Sequence, residues 1–219
     1  MITTLAIIGT AGRKDDAPRL NREMWERMVS TASDAVDRLR SEGHPVTQLF
    51  SGGAAYADHV AVALYLQGKV PNLVLFLPEE LVADGRFKEN PSASHWSKNP
   101  GGVTNHYHRQ FSARCGLSSF QDLALAKAKG AVFFVGGGFH ERNKLVAQAE
   151  GLLAMTFGSG AQLKDGGTAH TVGCYLERCR KEGKTPVAWH YNLTDGVLYP
   201  RADLGSEYEP PLKDVRVEF

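Results

Sequence analysis

An α/β fold with a Rossmann-like, doubly wound and mostly parallel sheet is the class this sequence predicts. Two observations carry it. Short apolar runs of strand length alternate with helical patterns, and glycine clusters follow the strands or open the helices. The 219 residues, 42% hydrophobic and 22% charged, are enough for one domain with a substantial core. Strand alternating with helix implies right-handed crossovers, and so helices on both faces of the sheet.

The elements follow in chain order. Met1-Ile2-Thr3-Thr4-Leu5-Ala6-Ile7-Ile8-Gly9 has an apolar run without a basic flank, too short for a leader, and reads as a buried first strand at 5–8. Residues 22–40 place Trp25, Met28, Val29, Ala32, Val36 and Leu39 near the 3.6 spacing of an amphipathic helix. A second strand is expected at 46–50, a helix at 57–66 and a third strand at 73–77. Residues 83–115, rich in Gly, Pro, Asn, Ser and His, read as a long loop, followed by a helix at 120–128 and a fourth strand at 131–135. The stretch 136–167 begins and ends in glycine clusters around a helical segment near 143–153. A helix at 168–180 and a fifth strand at 186–189 complete the pattern. Loops of this length inside a domain are usually lids, binding loops or insertions. The proline-containing tail reads as an extended strap with a terminal strand at 215–219. The organisation is thus one domain over 1–195 with an extension, 196–219, packed on it.

Charge and cysteine content narrow the function classes. With 25 basic residues against 24 acidic ones the net charge is +1, so nothing draws the chain to nucleic acid or to an anionic membrane. No stretch approaches the roughly 20 apolar residues of a membrane span. The cysteines, Cys115, Cys174 and Cys179, are odd in number, which fits a reducing, cytoplasmic setting. His95, His106, His108 and Cys115 supply metal-ligand chemistry at irregular spacing, without CxxC or HExxH. Neither a metal nor a separate cofactor is expected; the histidines and aromatics of that segment suit a base-binding lid better.

Three glycine motifs point to an anionic ligand. Gly9-Thr10-Ala11-Gly12-Arg13 follows the first strand, where glycines let backbone N–H groups approach a phosphate and Arg13 adds a charge-assisted contact. Ser51-Gly52-Gly53-Ala54, with Asp58 beyond it, lies between the second strand and its helix, where N–H donors sit at the positive end of a helix dipole. Gly166-Gly167-Thr168 opens the last helix, with Thr168 as a cap or as a ligand contact. Each also has a plain turn or capping reading. Together they lie on one rim, because ligands of open parallel sheets bind outside the carboxyl ends of the strands where the winding reverses.

The order of these motifs resembles the SLOG superfamily of Rossmann-like proteins, which includes LOG-type phosphoribohydrolases and DprA-type DNA-binding proteins. The resemblance rests on Ser51-Gly52-Gly53-Ala54 with Asp58, on Leu75-Phe76-Leu77-Pro78, on Gly167-Thr168 before Lys184-Thr185-Pro186-Val187, and on His108-Arg109-Gln110. It implies a small-molecule nucleotide ligand, a homodimer, and an Arg-containing segment that contacts the sugar phosphate. LOG-type members carry a Glu shortly after a PGGxGT loop. Here the loop after the fourth strand reads Gly136-Gly137-Gly138-Phe139-His140-Glu141, without the Thr, whereas after Gly166-Gly167-Thr168 the nearest acid is Glu177. Hydrolysis of an N-glycosidic bond would need a carboxylate for the oxocarbenium-like charge and a cation for the phosphate. Glu141 and Arg109 are the expected pair, with Glu79 and Glu80 as other acids. The alternatives are a sensor that binds without cutting and a DprA-like single-strand DNA binder, the latter disfavoured by the balanced charge.

Overall fold

A computed structural model describes residues 1–200 other than Ser94, Gly137 and Asp165. A seven-stranded sheet forms its centre, in the order β4-β3-β2-β1-β5-β8-β9. The fold is α/β and doubly wound, as the sequence predicts. β1 (Thr4–Gly9), β2 (Gln48–Ser51), β3 (Asn72–Leu77), β4 (Val132–Val135), β5 (Gly151–Thr156) and β8 (Val187–Asn192) run parallel, and β9 (Val197–Pro200) returns antiparallel on β8.

Side-chain alternation sorts the core into two layers. Leu5 and Ile7 join Leu49, Leu73, Leu75, Leu153 and Met155 on one face. Ala6 and Ile8 join Val74, Phe76, Leu152, Ala154 and Ala188 on the other. The first face is covered by α1 (Arg22–Ser41), α2 (His59–Leu66), α3 (Pro100–Cys115) and α4 (Ser119–Ala128). Over the second lie α5 (Gly138–Val146) and α6 (Gly167–Lys181), through Val146, Val172, Tyr175 and Cys179. Caps set the helix starts: the side chains of Asn21, Asn99 and Ser118 accept from the N–H groups of Met24, Gly102 and Gln121.

Two sequence expectations need correction. Residues 143–153 are not one helix: α5 ends at Val146, and 151–156 form β5, buried along its whole length between β1 and β8. Leu152, Leu153, Ala154 and Met155 favour helices when taken alone, but double-sided burial and ladder bonds to two neighbours override that preference. Residues 83–115 are not all loop either, because Asn99 caps and Pro100 opens α3, a helix of 16 residues. The strand β9 also brings the start of the predicted extension 196–219 into the sheet, whereas the expected terminal strand at 215–219 lies outside the described residues. Short strands β6 (Gly158–Ser159) and β7 (Gln162–Leu163) make a hairpin just beyond β5. Among the described residues no helix is long and apolar enough to cross a membrane.

This topology places one crevice. From β1 the chain winds outward through β2 and β3 to β4, then returns through α5 to β5 on the far side of β1. Connections leaving β1 and β5 therefore diverge to opposite faces, opening a gap at the strands' carboxyl ends.

Candidate functional site

A cavity of about 260 Å³ occupies that gap. Gly9, Thr10 and Ala11 at the end of β1 and Thr156 at the end of β5 form its floor; Gly52, Ala54 and Asp58 form one wall. Arg142 and Asn143 of α5 and Gly166, Gly167, Thr168 and Thr171 of α6 form the other, while Arg13, Lys14, Asp16 and Lys164 border the opening. All three glycine motifs thus meet at one place.

The glycines there do different work. A Cβ at Gly9 would collide with the Met155 carbonyl and the Ala57 methyl, and one at Gly53, whose φ is +70°, would collide with Leu77. At Gly12 (φ +81°) a Cβ would press on the Tyr56 ring. Close packing of loop on strand requires these three. Gly167 differs: a Cβ there would meet only the Asn143 amide nitrogen, at 3.9 Å.

Asp58 ties the first two motifs together. Its buried carboxylate accepts from the Gly9 N–H at 3.2 Å and from the Ala54 N–H at 3.3 Å. Burial pushes its pKa up, while Arg142 and the N–H groups of Ala54, Gly9 and Gly52 pull it back. Ser51, fully buried, donates to the Ile7 carbonyl at 2.8 Å and is a strut between β2 and β1. Gly53 offers its carbonyl to His108 at 3.1 Å. Gly12, Ser51 and Gly53 thus support the cavity from behind its lining.

Arg142 reaches from α5 to donate to the Gly52 carbonyl at 3.1 Å. Its Nε is buried with no hydrogen-bond partner, and desolvation lowers its pKa against the pull of Asp58. Asn143 beside it donates to the Gly167 carbonyl at 3.3 Å, joining α5 to the start of α6. Across the opening, Asp16 accepts from the Thr10 hydroxyl at 2.7 Å and from Lys164 at 2.8 Å. Burial also lowers the pKa of Arg13. Arg13, Lys14, Arg142 and Lys164 outnumber Asp16 and Asp58 in the lining, and the amino end of α6, with no acid in its first turn, adds positive potential. The arrangement suits a small anion.

No family model matches the sequence. An uncharacterized protein of Acanthamoeba polyphaga mimivirus is 31% identical over 156 residues, a span of 70% of this chain and 81% of the viral one. The chain belongs to the family of that viral protein. In this family member the expected catalytic pair lies away from the cavity. Arg109, on the exposed side of α3, faces Glu89 at 3.5 Å. Glu141 pairs with Lys144 and borders a separate apolar groove with Phe76, Phe134 and Leu145. The reason is topological: the loop after β4 leaves an edge strand, so of the two candidate glycine loops it is Gly166-Gly167-Thr168 that faces β1. Glu79 and Glu80 are likewise outside the lining. Of the polar lining, sequence reasoning missed Lys14, Asp16, Arg142, Asn143, Thr156, Lys164 and Thr171. Arg142 and Asn143 sit one and two residues past the flagged Glu141, but only α5's return toward β1 reveals which way they face.

Proposed function

We propose that this protein binds a nucleotide, or a nucleotide-derived ligand, through its phosphate at the β1–β5 switch point. The observation that carries the reading is the convergence of Arg13, Arg142 and the amino end of α6 on one cavity. A volume of about 260 Å³ lies at the small end of ligand sites and suits one mononucleotide better than a dinucleotide. Thermal-shift titration with nucleoside monophosphates is the test. The melting temperature is expected to rise with ligand concentration as mass action requires, and the rise to shrink in Arg13→Ala. No shift with any phosphate-bearing nucleotide overturns the reading.

Binding without cutting is the simpler form of this proposal, because neither Glu141 nor Arg109 lines the cavity. Asp16 favours a second reading, hydrolysis of an N-glycosidic bond. It is a carboxylate in the lining, positioned by Thr10 and Lys164, and could face charge developing on a sugar. Chromatography of an incubated nucleoside monophosphate distinguishes the two. Free base that vanishes in Asp16→Asn supports the hydrolase; intact nucleotide supports the sensor.

A further inference from the structure

Aromatic rings beside the cavity are not used by phosphate binding. The Arg13 guanidinium lies over the Tyr107 ring, 5.5 Å from its centroid, and over the Phe139 ring at 5.9 Å. Arg142 lies over the same Phe139 ring at 5.2 Å. Tyr107 comes from the middle of α3 and Phe139 from the first turn of α5, while Arg13 follows β1, so three distant segments bring rings and guanidiniums to one place. Both rings are partly exposed, and both cations line the cavity.

We infer that Tyr107, Phe139 and Arg13 form a stacking wall for the base of the ligand, so that the site selects a nucleotide with its aromatic base in place over a bare sugar phosphate. The inference rests on the phosphate-binding reading and names the ligand class within it. Planar rings and guanidinium planes are the surfaces on which bases stack in single-stranded nucleic-acid sites, where no base-edge code is needed. Here the same guanidiniums face both ways. An anion in the cavity engages Arg13 and Arg142, and this fixes the planes against which a base lies. Phosphate and base are thereby coupled through shared cations.

Calorimetric titration of adenosine monophosphate and ribose 5-phosphate into the wild type, Tyr107→Leu, Phe139→Leu and the double variant tests this. In the wild type the nucleotide is expected to bind at least tenfold tighter than the sugar phosphate, the scale of one stacked base. The double variant is expected to lose that preference, binding adenosine monophosphate no tighter than ribose 5-phosphate, while wild-type-like circular dichroism and cooperative unfolding show that it is folded. Tyr107→Phe, which keeps the ring, is expected to keep the preference. Equal wild-type affinities, or a preference that survives the double variant, overturn the stacking wall and leave the phosphate site standing. If neither compound binds the wild type, the phosphate site falls too.

Discussion

Gly167 and Lys14 are lining residues of a type that their backbone conformation does not favour. Gly167 opens α6 where packing does not demand glycine, and glycine in a helix is up to about 1 kcal/mol worse than alanine. Gly167→Ala is therefore expected to leave the urea midpoint unchanged or higher, yet to weaken nucleotide binding by about tenfold or more, because its methyl enters the anion site. Unimpaired binding would place the phosphate elsewhere. Lys14 holds φ at 47°, a left-handed conformation that costs a side-chain-bearing residue about 1–2 kcal/mol. Lys14→Gly should recover about 1 kcal/mol in chemical denaturation while lowering affinity for the phosphate through loss of a cation. A variant that loses both stability and affinity would show that Lys14 serves the fold instead.

At the scale of elements, α3 supports the second glycine motif through one histidine. His108 is fully buried, with Nε2 at 3.1 Å from the Gly53 carbonyl and Nδ1 at 2.9 Å from the Ser119 hydroxyl, contacts that a neutral ring donating from Nε2 satisfies completely. Burial, aided by neighbouring His59, pushes its pKa down to about 3, against the pull of the Gly53 carbonyl. An unfolded histidine titrates near 6.5. Between these values the unfolded chain carries a proton that the folded one lacks, so this contribution to stability is full above pH 6.5 and is lost as pH falls toward 3. The slope in that window is at most about 1.4 kcal/mol per pH unit. Unfolding free energies measured from pH 4 to 7 should show it in the wild type and not in His108→Gln; equal slopes would assign the pH dependence to other groups.

On the scale of the whole molecule, β4 is one of the two edge strands of the sheet, and among the described residues it exposes apolar side chains. Val132, Phe134 and Val135 are exposed, Phe134 by 54%, on an edge strand with no charge or proline to blunt it. A row of exposed apolar side chains on an edge strand is a template for pairing with another chain. Sedimentation is expected to show concentration-dependent association in the wild type and a 23.9 kDa monomer for Phe134→Lys, with stability changed by about 1 kcal/mol or less. Association that persists in the variant would place the contact elsewhere. β4 and β1 were legible as strands, because Val132-Phe133-Phe134-Val135 and Ile7-Ile8 have branched and aromatic content, but that content reads as a buried strand in both, and β4 is instead an exposed edge. β5 was not legible, since Leu152 to Met155 carry helix-favouring side chains and only pairing with β1 and β8 makes them a strand. The glycine rim was legible from local motifs. Arg142, Asp16 and Lys164 were not, because what brings them together is the winding reversal, which no local pattern encodes. The glycines also bear on how this family's sequences should vary. Gly9, whose Cβ would strike the Met155 backbone, must stay glycine in any member that keeps the fold, whatever it binds, so its persistence is silent about function. Gly167 is under no such packing demand, and relatives that retain it would be those in which the ligand itself has kept the side chain away.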